Sequence, residues 1–364
     1  MSKAKIKIAI VGVGNCASSL VQGLTYYKDI KNDKKVVGLM HAVLGGYRIS
    51  DIEVVAAFDV NKTKVGKDLA EAIYAKPNNT YVFAKIKKTG IRINNVPVYD
   101  GIGEYLKDVV EISKDTFADP VKVLKESGAE ILISYLPVGS QIATEYWADT
   151  CIKAKVAMIN CIPVFIASNP LWARKFIKAG VPIIGDDIKS QVGATILHRT
   201  LVNLFLDRGM PVDRTYQLNV GGNTDFQNML ERKQLTSKKI SKTRSVTSQF
   251  QLRDLDIEPE NIHVGPSDFV PWLTDNKVAF IRIESRHFGD VPTHVEVRLS
   301  VEDSPNSAGV VIDAIRCCKL ALDRHISGPL EEPSSFFMKS PPKQFTDEQA
   351  QKNLEKFIRQ SPAN

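Results

Sequence analysis

The chain has 364 residues, 43% of them hydrophobic and 24% charged, with a net charge of +7. This is the composition of an ordinary globular protein, and it excludes disordered, collagen-like and coiled-coil chains. The length exceeds what one hydrophobic core usually supports and predicts two domains.

Acids and bases are mixed along most of the sequence, so the positive excess points to an anionic small substrate or to generic solubility rather than a dedicated nucleic-acid surface. Five cysteines without CxxC spacing exclude a disulfide framework or a zinc site. Cys317 and Cys318 sit in an apolar helical pattern and read as core thiols. No apolar run approaches the roughly eighteen residues of a membrane span. With no signal peptide before the first strand, the expectation is a cytoplasmic protein without a membrane partner.

Lys5 to Val11 reads as a buried parallel strand. The turn Gly12-Val13-Gly14-Asn15-Cys16-Ala17-Ser18 follows, and a helical pattern runs through Leu20, Val21 and Leu24. Strand, glycine turn and helix in that order are the setting of a dinucleotide fingerprint. Gly12 allows the tight turn, Gly14 admits a pyrophosphate, and Ala17 lets helix pack on strand. A phosphate then lies on the helix N-terminus, where unpaired N–H groups favour an anion. Asn15 and Cys16 belong to the same turn.

The next strand, Val54 to Asp59, ends in an acid suited to accept hydrogen bonds from an adenosine ribose and to repel a 2′-phosphate. Alternatively, Asp59 caps the following helix, and Lys62 and Lys64 leave NADP open. The segment from Lys28 to Ser50 reads as an insertion between these strands.

Further strands run from Glu130 to Leu136, Val156 to Cys161 and Val181 to Ile184. Ser168-Asn169-Pro170 opens a helix with a cap and an early proline. Such alternation implies a parallel sheet with its ligand at the strands' carboxyl ends. The loops at 136–140, 162–164 and 186–190 then face one crevice, with Tyr135, Pro137, Pro163 and Asp187 as candidates for cofactor contact.

A long helix is expected from Ser190 to Arg208. Beyond it, strands are expected at Thr215 to Val220, Ala279 to Glu284 and His294 to Val301, the last alternating as a half-exposed antiparallel strand. Leu230 to Gln249 is polar and rich in lysine and serine. A helix returns from Ser307 to His325, and a charged one follows Phe345. The fold class expected is α/β: a Rossmann-like, doubly wound parallel sheet with an inserted, mainly antiparallel α+β domain. Residues 1–200 and 307–364 form the first domain, and 201–306 form the inserted one.

Two stretches carry the chemistry. Gly185-Asp186-Asp187-Ile188-Lys189-Ser190 sets paired carboxylates, a lysine and a hydroxyl at the end of an apolar run. Ser237-Lys238-Lys239-Ile240-Ser241-Lys242 places Lys238 and Lys242 one turn apart, a repulsion that suits an anion-binding site. A solvated basic face is the plainer reading. The six histidines show no metal-ligand spacing, and Trp147, Trp172 and Trp272 read as packing residues. Asp186 and Asp187 are the only weak pointers to a divalent or monovalent cation.

The glycine turn, the Gly185–Ser190 and Ser237–Lys242 stretches, Asn219-Val220-Gly221-Gly222-Asn223-Thr224-Asp225 and Met338-Lys339-Ser340-Pro341 together resemble the myo-inositol-1-phosphate synthase family, in its shorter bacterial and archaeal form. The resemblance runs from about Ile6 to Lys339. It implies cyclisation of glucose 6-phosphate, NAD as a cofactor returned to its starting state, and a tetramer built through the inserted domain. The family's functional lysines map onto Lys238, Lys242, Lys277 and Lys339. Ser190, Asn223 and Asp225 match substrate positions, and Asp187 and Asp303 match positions near the nicotinamide. Lys238 is then the candidate for proton transfer at the carbon-5 oxygen. Lys277 and Lys339 stabilise oxyanions, and Lys242 holds phosphate. The glycine turn is shorter by about one residue than in the eukaryotic branch of the family.

Three other readings compete. An ordinary NAD(P)-dependent dehydrogenase of the homoserine dehydrogenase or dihydrodipicolinate reductase type predicts net reduction or oxidation of nicotinamide. A non-catalytic NAD-binding regulator predicts binding alone. A nucleic-acid binder working through Arg232 to Arg244 predicts salt-dependent binding, but that segment lacks aromatic residues for stacking.

Overall fold

The computed structural model describes residues 5–30, 36–231 and 236–360, without side chains at 236–239, 266 and 267. The first half of the chain alternates strands and helices. It runs β1 (Ile6–Val11), α1 (Asn15–Tyr26), a small hairpin of β2 (Val43–Leu44) and β3 (Tyr47–Arg48), β4 (Ile52–Asp59), α2 (Leu69–Ala72), β5 (Ile93–Asn95) and α3 (Pro120–Ser127). It continues with β6 (Ile131–Ser134), α4 (Gln141–Ala154), β7 (Ala157–Asn160), α5 (Pro170–Ala179), β8 (Pro182–Ile184) and α6 (Ala194–Asp207).

These strands, with the later β13 (Gly328–Pro329), form a parallel sheet in the order β13-β8-β7-β6-β1-β4-β5. Because β1 lies between β4 and β6, the strand order reverses there. Such a switch point opens a crevice at the strands' carboxyl ends. The sheet is covered on both faces, which explains the unbroken apolar runs in its strands. Ile6, Ile8 and Ile10 of β1 face one core with Leu20 of α1. Ala9 and Val11 face another, with Phe58, Leu132 and Trp147.

The second sheet comprises β9 (Val212–Gly221), β10 (Ile262–Phe269), β11 (Asn276–His287) and β12 (Val291–Glu302), in the order β10-β9-β11-β12. Its β9–β11 and β11–β12 pairs are antiparallel. The β10–β9 pair is parallel, joined by a crossover through α7 (Thr224–Asn228) and α8 (Thr236–Gln251). Val202 and Phe205 of α6 pack under this sheet with Val246 and Phe250 of α8 and Ile283 of β11. The chain then returns to the first sheet through α9 (Asp303–Asp323), and α10 (Glu331–Phe337) and α11 (Asp347–Arg359) follow. The α9 residues Val311 and Ile315 join the core beneath β1.

Local signals explain several boundaries. Asn169 accepts from the Leu171 N–H at 2.9 Å, Pro170 occupies the first turn, and Gly180 ends α5 with φ of 73°. Cys317 and Cys318 are fully buried.

The structure also departs from the sequence reading. The helix expected from Ser190 starts at Ala194, because the chain turns where Gly193 meets Ser190: a Cβ on Gly193 lies only 2.9 Å from the Ser190 Cβ. Strand β10 is absent from the sequence reading, since His263, Gly265 and Pro266 disguise it. Trp147 and Trp172 are buried, whereas Trp272 is 82% exposed and packs no core. The domain boundary expected after residue 200 falls inside α6, and that after 306 falls inside α9.

Candidate active site

One cleft runs along the carboxyl ends of the parallel sheet and under the edge of the second sheet. Gly12, Gly14, Asn15, Cys16, Asp59, Tyr135, Pro137 and Pro163 line it from the first sheet. Asp187, Ser190, Asn223, Asp225, Lys242, Lys277, Asp303 and Lys339 line its other part. Ala17 does not reach the cleft, being buried in the core as the helix–strand contact requires.

The glycine turn has the features of an anion site. Gly12 has φ of 85°, and a Cβ there lies 2.5 Å from the Tyr135 carbonyl oxygen, so only glycine passes β6 at this point. Nothing lies within 4 Å of a Cβ built on Gly14, so the backbone is open to the cleft. Gly14 caps α1 without a side-chain bond, and the first turn of α1 carries no acid. The helix therefore presents N–H groups and a positive dipole end.

Asp59 closes this end. Its Oδ2 accepts from the Val13 N–H at 2.8 Å, and its Oδ1 accepts from Val60 and Asn61 at 2.7 and 2.8 Å. Of the lysines that left NADP open, one faces away and one stays in the cleft, Lys64 lying 3.8 Å from Asp59 Oδ2. Lys62 pairs with Glu111 on the surface. Lys64 is buried, which lowers its pKa, and it donates to the Val13 carbonyl at 2.7 Å and to Asn78 at 2.9 Å. These two bonds brace the turn and hold the ammonium close to Asp59. The Asn15 amide is likewise engaged in structure, donating to Asn79 at 2.7 Å and Asp275 at 3.1 Å, so its direct offer to a cofactor is the backbone N–H. Cys16 is a neutral thiol, with burial and then the Asp275 and Asp303 carboxylates pushing its pKa up to about 12.

The neighbouring acids at the end of β8 have opposite fates. Asp186 is fully buried and accepts from the Asn160 amide, the Ile166, Ala167 and Ser168 N–H groups and the Ser168 hydroxyl, all within 3.1 Å. It pins the loop carrying Pro163, and burial pushes its pKa up to about 6. Asp187 has a left-handed φ of 64° and belongs to the cleft. Its Oδ1 pairs with the Lys339 ammonium at 2.7 Å, and its Oδ2 accepts from the Ser241 hydroxyl at 2.6 Å. Ser340 donates to Ser241 at 2.9 Å. Helix α8 and the 338–340 segment are thus registered on one carboxylate. Asp186 is not available beside Asp187 to hold a cation. Among the described residues, no three His, Cys, Asp or Glu side chains converge as a metal site.

Lys277 lies 3.1 Å from Asp303. Burial works against its charge, but Asp303, Asp225 and Asp187 outweigh that and hold its pKa above the ordinary lysine value. The carboxylates here keep Lys277 cationic, the charge state that an oxyanion-stabilising role requires. Besides Lys64, a lysine whose pKa falls is Lys189, buried beside Arg199 and pushed down to about 7 by burial first and that guanidinium second. It donates to the Ser335 carbonyl at 3.0 Å, away from the cleft. Lys242 is nearly buried in α8. Lys238 lies in the first turn of the same helix, but its side chain falls outside the described residues.

Known proteins bear on this arrangement. The chain is 56% identical over 355 residues to inositol-3-phosphate synthase of Mycolicibacterium smegmatis, covering 97% of this chain and 98% of that one. It is 52% identical over 360 residues to inositol-3-phosphate synthase of Corynebacterium glutamicum, covering 98% and 99%. The chain belongs to the inositol-3-phosphate synthase family. A family model described as myo-inositol-1-phosphate synthase matches residues 193–304, the span of α6, the second sheet and the first residues of α9. The solved structure of a myo-inositol-1-phosphate synthase-related protein from Thermotoga maritima shares the fold. Its TM-score is 0.79 at 22% identity, covering 99% of this chain and all of that one. The protein is therefore an enzyme of inositol biosynthesis, of the isomerase class.

Within this candidate site the sequence reading missed three groups. Ser241 and Ser340 stand inside quoted motifs but were passed over beside their lysines. Asp275, two residues before Lys277, is fully buried and accepts from Thr80, Asn223 and Ser304 as well as Asn15. Their common signal is a short polar or acidic side chain within two residues of a motif lysine.

Proposed function

We propose that this enzyme converts D-glucose 6-phosphate to 1L-myo-inositol 1-phosphate, with NAD as a cofactor returned to its starting state. The observation that carries this reading is that Lys242, Lys277 and Lys339 share one cleft with the dinucleotide-type turn. A simple hydride transfer needs no such concentration of cations, whereas a phosphorylated substrate and oxyanion intermediates do.

The residues present fit NAD. The open space at Gly14 and the uncapped N-terminus of α1 suit a pyrophosphate. Gly12, Asn15 and Cys16 complete the turn, Asp59 offers a carboxylate to a ribose, and Tyr135, Pro137, Pro163, Asp187 and Asp303 line the remainder. When bound, NAD supplies a reversible hydride acceptor for carbon 5 of the sugar. Loss of a proton from carbon 6 and closure of carbon 6 onto carbon 1 both develop negative charge on oxygen. Lys277, kept protonated by its carboxylate neighbours, stabilises one such oxyanion. Lys339, oriented by Asp187, stabilises another. Lys242 binds the phosphate, and Ser190, Asn223 and Asp225 hold the sugar hydroxyls. Lys238 is assigned proton transfer at the carbon-5 oxygen on the strength of its place one turn before Lys242.

The same reading includes a cytoplasmic homotetramer with the second sheet as the inserted catalytic and assembly unit. Two observations support these points. All five cysteines are free thiols. The outer side of the second sheet exposes Phe280 beside its cross-strand partner Arg298. Among the described residues no helix is long and apolar enough to cross a membrane.

The test is incubation of purified protein with glucose 6-phosphate and NAD. An acid-stable, non-reducing sugar phosphate should form without accumulating NADH. One NADH per substrate consumed places the chain among ordinary dehydrogenases instead.

A further inference from the structure

Asp275 lies between the two halves of the cleft without lining it. Its carboxylate is fully buried and accepts five hydrogen bonds from four distant segments. Oδ1 accepts from the Asn15 amide at 3.1 Å, the Asn223 amide at 2.9 Å and the Ser304 hydroxyl at 2.9 Å. Oδ2 accepts from the Thr80 hydroxyl at 2.6 Å and the Ser304 N–H at 3.2 Å.

The donors are fixed independently of Asp275. The Asn15 side-chain oxygen accepts from the Asn79 and Thr80 N–H groups, so its amide nitrogen must face Asp275. The Asn223 oxygen caps α7 by accepting from Asp225 and Phe226, so its nitrogen must face Asp275 too. The Ser304 N–H is backbone. Each oxygen of the group at position 275 therefore faces at least one fixed donor, the two amides on Oδ1 and the Ser304 N–H on Oδ2, an arrangement that a carboxylate meets and an amide cannot. Backbone packing holds it in place: a Cβ on Gly222 lies 2.5 Å from the Thr274 nitrogen, so the 270–275 loop sits directly on the turn before Asn223.

We propose that Asp275 is a positioning residue that locks the glycine turn, through Asn15, to the sugar-binding loop, through Asn223, so that cofactor and substrate meet in one fixed register. The proposal rests on the functional reading above, and it requires a carboxylate rather than a filled volume. Asp275→Asn keeps the volume but turns an NH2 toward fixed donors.

Leaving buried donors unpaired costs about 1–3 kcal/mol each, so the Asn variant should weaken both NAD binding and the glucose 6-phosphate KM by about tenfold or more. Thr80→Val removes one donor, outside the cleft, and should weaken both in the same sense by a few-fold. Asp313→Asn is the control. Asp313 is equally buried on α9, but it faces Arg316 and His41. Its loss should lower thermal stability while leaving both affinities within about twofold, as for distant, independent sites. The proposal is overturned if Asp275→Asn keeps both affinities, or if Asp313→Asn loses them equally. Crystal structures of the wild type and of either hub variant read the lock without any ligand or turnover. In Asp275→Asn the NH2 must meet either the Asn15 and Asn223 amides or the Ser304 N–H, so one of these two sides should swing away, and in Thr80→Val residues 78–80 should shift relative to Asp275. Unmoved side chains would contradict the lock even if the wild type made no inositol phosphate, which is the separate result that sinks the functional reading.

Discussion

The glycine turn and the lysine cluster face the same cleft but are built differently. The turn is local: Gly12, Gly14 and α1 are contiguous, and the groups offered to an anion are backbone N–H groups whose direction the helix sets. The lysine side is assembled from Lys242 on α8, Lys277 on β11 and Lys339 after α10, side chains that nothing in their own segments would hold in place. Each described anchor there is a carboxylate: Asp303 for Lys277 and Asp187 for Lys339. An anion site made from backbone needs only the right turn. One made from lysines needs acids to separate, orient and charge them.

This contrast predicts that the two halves fail separately. The largest effect should come from Lys339→Ala, which removes a cation proposed to stabilise an oxyanion. Turnover should fall by about 10²–10³-fold while NAD affinity, measured by titration, stays near wild type. An equal loss of NAD binding would show that the halves are one unit at this point.

Ser241→Ala probes the anchoring rather than the charge. It deletes a 2.6 Å bond to the Asp187 carboxylate. A bond to a charged group is worth about 1.5–3 kcal/mol, so kcat should fall by about ten- to a hundredfold with a smaller change in KM. An unaltered kcat would mean that α8 finds its register without Asp187.

On the other side, Asp59→Ala should narrow the preference for NAD over NADP by about tenfold, since repulsion between a carboxylate and a 2′-phosphate at a solvent-open site amounts to about 1–2 kcal/mol. Competitive binding of the two nucleotides measures it. An unchanged ratio would place Asp59 away from the ribose.

The smallest effect concerns stability. Lys189 has a native pKa of about 7 against 10.5 for an unperturbed lysine. Between those values the unfolded chain binds more protons at this site, so its contribution to stability rises as pH rises through that window. Lys189→Met should flatten this part of the melting-temperature profile. A profile with the wild-type slope would place the titration elsewhere.

What the sequence discloses follows the same division. Strand, turn and helix around Gly12 are contiguous and periodic, so the cofactor half is legible from residues alone. The cap and proline of α5 are legible for the same reason. Lys242, Lys277 and Lys339 are marked by motifs, but their ion pairs join residues 26 and 152 positions apart. No spacing rule reaches that far. Hence the carboxylates that charge Lys277 and orient Lys339 could not be paired with them from sequence, and Ser241 and Asp275 stood unnoticed near their lysines. Strand β10 was lost because its parallel pairing tolerates Gly265 and Pro266. Trp272 misled because a large aromatic ring is usually core, whereas here it tops a short turn at the rim of the second sheet.

The central claim is that both halves serve one redox-neutral cyclisation. Glucose 6-phosphate deuterated at carbon 5, incubated with the protein and unlabelled NAD, tests it most directly. The account predicts inositol phosphate that retains the deuterium on a ring carbon, with no NADH accumulating. Product that has lost the label to water, or reduced cofactor building up in step with substrate consumed, would contradict it.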